Sequence, residues 1–252
     1  MFVVAGGTGR LGSRVVALLE THGANVHALS RHADGDLRDI ADHVLDGVSD
    51  VVSCVTGFPG QSPSSVDRDG NIALIDAATR AGCAVVLVSV LGAAPHSPME
   101  LFRMKYAAEE HLRRSGAPWT IVRPDAFEET WVEILEQTAG RRCRPVVFGR
   151  GDNPFAWTSV DAVAAEVVRA VLDPELRGLT VDVTGQEPRT LEQLAREVMM
   201  AHGWPGDPRH VPRAALHLMA LLPGRPGRMA RASLAMDVLT TGPTRGPVTL
   251  TR

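Results

Sequence analysis

A doubly wound α/β domain with a parallel central sheet is what this sequence predicts, and three observations predict it. Short apolar runs, "FVVAG", "NVHALS", "SDVVSCVTG", "AVVLVSV" and "WTIVRP", alternate with helical patterns along the first half of the chain. The runs are rich in Val, Ile and Leu without strict alternation, as suits parallel strands covered on both faces. The intervening patterns end at Gly23, Gly82 and Gly116, where a left-handed residue closes a helix. Strand, helix, strand, helix in this order makes each connection a crossover.

The elements follow in order. "FVVAG" enters a glycine-rich turn and the helix "LGSRVVALLETHG"; "NVHALS" is the second strand; "SDVVSCVTG" leads to the helix "VDRDGNIALIDAATRAG". "AVVLVSV" leads to "SPMELFRMKYAAEEHLRRSG". There Ser97 reads as helix cap, Pro98 as first helical residue and Glu100 as the closing member of a capping box, which puts Lys105 in the second turn. Beyond "WTIVRP" the pattern loosens into "FEETWVEILEQTAG", a short strand "RPVVFG", the helix "VDAVAAEVVRAVLD" capped by Ser159 and Asp161, and a strand "LTVDVTG". A helix "TLEQLAREVMMAHG" opens with the box residues Thr190 and Gln193. From Trp204 the chain is rich in Pro and Arg, with two helices around "RAALHLMALL" and "RMARASLAMDVL". The expected organisation is one domain over residues 1–252, in which about 125–145 and 185–252 form a small substrate-side lobe.

Composition narrows the function. A net charge of -3, from 26 basic and 29 acidic residues, offers no basic field for nucleic acid. The cysteines Cys54, Cys83 and Cys143 show neither a disulfide framework nor metal-ligand spacing, so a reduced cytoplasmic protein without metal is expected. No run reaches the ~18 apolar residues of a membrane span, and no membrane partner is expected. The partner expected is a small-molecule substrate, and the protein is expected to be a monomer or homodimer.

The residues with chemical content begin at "VVAGGTGRLGS". Gly6, Gly9 and Gly12 stand at three-residue intervals between a strand and a helix. Glycines there tighten the turn, let backbone approach a pyrophosphate and let the helix pack on the sheet. The loop residues Thr8, Arg10 and Leu11 belong to the same site. At the end of the second strand, 18 and 19 residues past Gly12, Ser30 and Arg31 replace the acidic residue that would hold an NAD ribose. A guanidinium suits a phosphate, so NADP(H) is expected, with Arg10 as a second contact.

The stretches "GGTGRLG", "GDLRD", "VVSCVTG", "VLVSVLGA", "MKYAAEEHLRRSG" and "WTIVRPDAF" together resemble the atypical short-chain dehydrogenase/reductases of the NmrA-like branch. The resemblance covers at least residues 1–200. It implies a Rossmann fold and NADP(H) as cofactor. It further implies that Asp36 and Leu37 flank the adenine, that Val55 and Thr56, with Gly57, lie along the ribose, and that Pro124 to Phe127 meet the nicotinamide carboxamide. Phe127 and Trp131 read equally as core aromatics. Ser89 is either the substrate-bonding hydroxyl that the resemblance implies or a capping serine. Only about twenty residues separate Arg31 from "VVSCV", fewer than the family uses, so a stunted third strand is expected.

Standard short-chain dehydrogenases place a tyrosine four residues before the lysine, on the same helix face. That position is Leu101 here, and the chain's single tyrosine, Tyr106, is rotated by about one hundred degrees from Lys105. The resemblance implies that Lys105 binds the nicotinamide ribose or serves as acid or base; the plain alternative is a surface lysine paired with Glu109. Leu101, Met104, Ala108 and Leu112 read as the buried stripe of this helix. His96, Asp125, Glu128, Glu129 and Asp152 are weaker candidates, explained as loop polarity or helix-terminal charge.

Three functions are compatible with these residues. The first is an NADPH-dependent reductase of a small, largely apolar carbonyl, enone or quinone, with Lys105 and Ser89 as its catalytic pair. The second is a non-catalytic NADP(H)-sensing module, and the third a redox-neutral isomerase or cyclase. Usage rich in Arg and Ala points to a bacterium of high GC content, where such enzymes tailor secondary metabolites.

Overall fold

The structure is a computed structural model that describes residues 1–40, 42–57, 61–239 and 248–251. In chain order its elements are β1 (Phe2–Ala5), α1 (Arg10–Thr21), β2 (Val26–Leu29), α2 (Arg31–Asp34), β3 (Asp50–Ser53), α3 (Asn71–Arg80), β4 (Ala84–Val88), α4 (Glu100–Arg114) and β5 (Trp119–Pro124). There follow α5 (Glu128–Ala139), β6 (Val146–Phe148), β7 (Pro154–Phe155), α6 (Val160–Leu172), β8 (Thr180–Val183), β9 (Arg189–Thr190), α7 (Leu191–Ala201), β10 (Arg209–Val211), α8 (Arg213–Ala220), α9 (Gly224–Met236) and β11 (Val248–Thr251).

The chain divides into two compact units. The first holds Met1–Pro124, Val160–Val183 and the last strand, on a sheet of order β11-β8-β5-β4-β3-β1-β2. Every pairing is parallel except that of β11 with β8. The order reverses between β1 and β3, the switch point at which open α/β sheets bind ligands outside the strand ends. Val3, Ala5, Val51, Val85, Leu87 and Ile121 from the strands pack with Leu74, Ala78, Ala108 and Leu112 from α3 and α4. Each fully buried leucine of this kind contributes roughly 1.5–3 kcal/mol. The helix-closing glycines are as expected, with φ of 76° at Gly23, 73° at Gly82 and 85° at Gly116.

Three local features differ from the sequence expectation. Between β2 and β3 the described residues carry no third strand, only the four-residue α2 and the 3-10 turns Leu37–Asp39 and Asp42–Leu45. A further parallel strand needs a crossover of a dozen or more residues, which this segment is too short to supply. Helix α4 starts at Glu100 with Met99 as its cap, and Ser97 Oγ instead accepts from Met99 N at 3.3 Å. Pro98 disfavours helical backbone in the residue before it, so Ser97 forms a turn ahead of the helix and the capping box is absent. The fully buried residues of α4 are Lys105, Ala108, Glu109 and Leu112, while Leu101 and Met104 are only half-buried. Two charges occupy the inner face because each has an internal partner. Glu109 is gripped by Arg123, whose Nε donates to Oε1 at 2.8 Å and Nη2 to Oε2 at 2.5 Å.

The second unit holds Asp125–Ser159 and the segment from residue 184 to residue 239. It carries two small sheets, β6 with β10 in parallel and β7 with β9 antiparallel. Leu135, Val147, Phe155, Trp157, Leu191, Leu194 and Val198 form its core. Helix α7 opens as expected: Gln193 N donates to Thr190 Oγ1 at 3.1 Å and Thr190 N to Gln193 Oε1 at 2.8 Å. Of the segment assigned to a lobe from sequence, β11 joins the sheet of the first unit, and residues 240–247 and 252 lie outside the described residues. No helix is long and apolar enough to cross a membrane, and no group of three or more metal-ligating side chains occurs among the described residues.

Candidate cofactor site

The site is built from the carboxyl ends of the parallel strands in the first unit. Gly6 N and Gly7 N both donate to Leu29 O, at 3.0 and 3.1 Å, so the loop after β1 is tied to the end of β2. Cys54 N donates to Ala5 O at 2.9 Å and ties β3 to β1. Gly6 has φ of 75°, and a Cβ there would meet Cys54 O at 3.1 Å, so glycine is required by backbone and neighbour alike. At Gly12 a Cβ would lie 2.1 Å from Gly6 O, so the missing side chain is what lets α1 pack against the loop.

Gly9 differs from both. Its backbone is extended, with φ of -77° and ψ of 173°, which any residue can adopt. A Cβ there would meet one atom, Gly6 O at 3.2 Å. The protein's own packing thus opposes a side chain here through one tight contact only, which a shift of a few tenths of an ångström relieves, and the space beside it opens in front of the first turn of α1. That turn has no side-chain cap and no acidic residue. Uncapped amides at a positive helix end, under a glycine that leaves room, fit a pyrophosphate. Thr8, Gly9 and Arg10 are exposed around this space, and Leu11 is buried beneath it.

Ser30 and Arg31 stand at the end of β2. Ser30 caps α2, its Oγ accepting from Ala33 N at 3.3 Å and its N donating to Asp34 Oδ2 at 2.8 Å. Arg31 opens that helix and is exposed. Asp36 is claimed by Arg38, which donates from Nε at 2.9 Å, Nη2 at 2.6 Å and backbone N at 3.0 Å. Those hydrogen bonds hold the Asp36 carboxyl well below the usual carboxylate range. Three donors thereby converge on the carboxylate. Leu37 packs on the edge of the core.

Val55, Thr56 and Gly57 follow β3, with Val55 half-buried, Thr56 exposed and Gly57 buried. The Lys105 ammonium reaches this loop from α4: Nζ donates to Val55 O at 2.7 Å and to Val88 O, at the end of β4, at 3.0 Å. Its carboxylate partner is Asp67, with Oδ1 at 3.4 Å, and not Glu109. Tyr106, on the neighbouring face, is half-buried. Burial pushes the Cys54 thiol up to about 12, against the opposing pull of the Lys105 ammonium.

Ser89 follows Val88 and is buried, with its N donating to Val122 O at 2.8 Å, while Leu91 N donates to Pro124 O at 2.8 Å. These bonds lock the ends of β4 and β5 together. The Ser89 Oγ has no hydrogen-bond partner among the described residues. A buried hydroxyl without a partner is costly.

The remaining candidates fall in the second unit or away from the strand ends. Phe127 caps α5 and bridges to Thr158, and Trp131 packs edge-on to Trp157 at 5.9 Å between ring centroids. Asp125 is a structural carboxylate, accepting from Ala126 N at 2.7 Å and Ala156 N at 3.0 Å. Glu128 pairs with Arg189 at 2.5 Å, and Asp152 with Arg150 at 3.4 Å. His96 is exposed in the loop ahead of α4. Sequence reading missed Asp67 and Asn71. Their signal was two polar residues in a helical pattern, where the backbone forms a π-helical segment, Ser64–Gly70, ahead of α3.

This geometry agrees with what the chain is similar to. A family model described as NAD(P)H-binding matches residues 6–174. An NAD(P)H azoreductase of Xenophilus azovorans is 29% identical over 222 residues, covering 81% of this chain and 75% of the relative. The chloroplast protein High Chlorophyll Fluorescence Phenotype 244 of Arabidopsis thaliana is 28% identical over 217 residues, covering 76% of this chain and 53% of its own length. Among solved structures, an NADPH-dependent quinone oxidoreductase of Escherichia coli complexed with NADPH superposes with a TM-score of 0.71 at 21% identity, over 93% of this chain and 88% of that one. The cofactor expected from the sequence, NADP(H), is among those such a family binds. On the match over residues 6–174, the chain belongs to the NAD(P)H-binding family, as an atypical short-chain dehydrogenase/reductase of Rossmann-like fold.

Proposed function

We propose that this protein is an NADPH-dependent reductase whose acceptor is a quinone or a related small, largely apolar acceptor. The observation that carries the reading is Ser89, a buried hydroxyl at the clamped strand ends without a hydrogen-bond partner among the described residues. The relatives named as an azoreductase and a quinone oxidoreductase support the reductase class. Arg31 at the end of β2, with Asp36 already paired with Arg38, supports NADPH over NADH.

The bound cofactor supplies hydride. The glycine loop and the first turn of α1 hold its pyrophosphate, and Arg31 with Arg10 meets the 2′-phosphate. Ser89 donates a hydrogen bond to the acceptor's oxygen or nitrogen and so stabilises the charge that develops there. Leucine occupies position 101, and the Lys105 ammonium is already directed at Val55 O, Val88 O and Asp67. Without a positioned acid, hydride addition is favoured where the resulting anion is stabilised. A quinone leaves an aromatic oxyanion that water protonates, whereas a simple ketone leaves an alkoxide that needs a donor in place.

The test follows the loss of the reduced-nicotinamide absorbance with purified protein and a panel of quinones, azo compounds, enones and simple ketones. Oxidation of NADPH by quinones or azo compounds, with simple ketones inert, is expected. Tight NADPH binding without oxidation by any of them would refute a reductase. It would instead leave the sensing module, a second reading that the engagement of Lys105 with Val55 O and Val88 O also favours, or the redox-neutral enzyme.

A further inference from the structure

The buried charges behind the strand ends include a pair that the proposed chemistry does not use. Lys105 is 4% exposed and Asp67 0%. The ammonium hydrogen-bonds two separate pieces of chain, the loop after β3 through Val55 O and the end of β4 through Val88 O, and its charge is met on the π-helical segment by Asp67 Oδ1, 3.4 Å away and without a hydrogen bond among the described residues. Asp67 in turn accepts from Gly57 N at 3.0 Å through Oδ2. Behind it Asn71 accepts from Ser53 Oγ at 2.6 Å and donates to Val66 O and Asp67 O, at 3.3 and 3.0 Å.

We propose that Asp67 and Lys105 are positioning residues of the cofactor site, a buried ion pair that holds the 55–57 loop and the Val88–Ser89 peptide in one fixed arrangement. The inference rests on the NAD(P)H-binding reading of these strand ends, not on turnover. An apolar side chain could fill the same volume, but it would leave the carbonyls of Val55 and Val88 without their donor. The tetrahedral ammonium supplies directional contacts to both, and Asp67 compensates its charge while fixing the Gly57 peptide. A buried pair of this kind sets geometry more than it adds stability, and removing one partner strands the other charge. Lys105 is on this assignment a clamp, in place of the acid, base or ribose ligand that the family resemblance implies. Ser89 is the group left to touch substrate.

The test uses the full chain carrying Lys105→Met, Asp67→Asn and the two together. It reads the NADPH dissociation constant by nicotinamide fluorescence, the melting temperature, and kcat with a soluble benzoquinone. Each single variant is expected to weaken NADPH binding by about tenfold or more, as one unpaired charge distorts the loop. The double variant, with no stranded charge, is expected to bind NADPH more tightly and melt higher than the weaker single. If neither single folds, the double decides: a folded protein that still binds NADPH more weakly than the parent, because Val55 O and Val88 O lack their donor, supports the clamp, and a double that binds NADPH as tightly as the parent, or that fails to fold with no charge left stranded, overturns it. The clamp is also overturned if Asp67→Asn is parent-like while Lys105→Met keeps NADPH affinity and loses a hundredfold in kcat, the signature of an acid or base. Failure of every quinone to turn over in the parent would count against the proposed reductase, yet the binding and melting readouts would still decide the clamp.

Discussion

Replacing Gly9 and Gly12 by alanine, one at a time, separates a glycine kept for the ligand from one kept for the fold. At Gly12 the new methyl would sit 2.1 Å from Gly6 O, 2.7 Å from Gly6 C and 2.9 Å from Gly7 Cα, all backbone atoms that cannot swing aside. Overpacking of that severity costs about 3 kcal/mol or more, or roughly 6–12 °C in Tm for a chain of this size. At Gly9 the methyl meets only Gly6 O at 3.2 Å, on a backbone with negative φ. Alanine is a poorer helix cap than glycine by some tenths of a kcal/mol, but it restricts the unfolded chain by about 0.4–1 kcal/mol, so the two effects nearly cancel. Gly9→Ala is therefore expected to keep Tm within about 2 °C of the parent in the absence of cofactor. Its NADPH affinity is expected to fall by roughly 10- to 150-fold, the loss of about 1.5–3 kcal/mol from charge-assisted bonds to a pyrophosphate kept at a distance. The assay pairs thermal melting without cofactor with NADPH titration. Unchanged NADPH affinity in Gly9→Ala would refute the assignment of this loop to the pyrophosphate. A melting loss as large as that of Gly12→Ala would refute the claim that the space at Gly9 is not the protein's own.

Further outcomes follow from other sites. Arg31→Asp is expected to erode or invert a preference for NADPH over NADH, through loss of a phosphate contact of about 1–3 kcal/mol; equal dissociation constants for the two cofactors in the parent would refute it. Asp182 is half-buried on β8 and its Oδ1 lacks a hydrogen-bond partner among the described residues; burial raises its pKa, with Arg123 opposing the rise and Glu109 adding to it. A carboxyl whose folded pKa is raised loses stability as pH climbs from its unfolded value, near 3.9, through the folded one. Asp182→Asn is thus expected to gain about 1 kcal/mol at pH 8, with the gain closing below about pH 4; urea midpoints at both pH values check this, and an equal gain at both would refute it. Cys54, with its thiol pushed up to about 12, is expected to resist iodoacetamide at pH 8 in the folded protein while reacting in urea, and rapid labelling of the native chain would contradict that.

Much of this protein was legible from local pattern alone. The five leading apolar runs became strands, the glycines after α1, α3 and α4 took left-handed backbone, and Thr190 with Gln193 closed a capping box. Each of these depends on residues within one or two turns of each other, so a single stretch of sequence contains the whole cause. The glycine loop was legible for the same reason, because its spacing, the strand before it and the helix after it are contiguous.

What the tertiary structure alone decided is which charges lie inside and what they hold. An apolar stripe led to the expectation that Leu101 and Met104 were buried, yet Lys105 and Glu109 occupy the inner face of α4. The stripe rule counts the cost of burying a charge but not the partner that offsets it. For Lys105 the carbonyl partners stand 50 and 17 residues away, at Val55 and Val88, and the carboxylate partner Asp67 lies in a separate π-helical segment. For Glu109 the partner Arg123 is on the next strand. A strand or helix end comes from neighbours in sequence, whereas desolvation of a charge is balanced only by groups that the fold itself brings within about 3 Å.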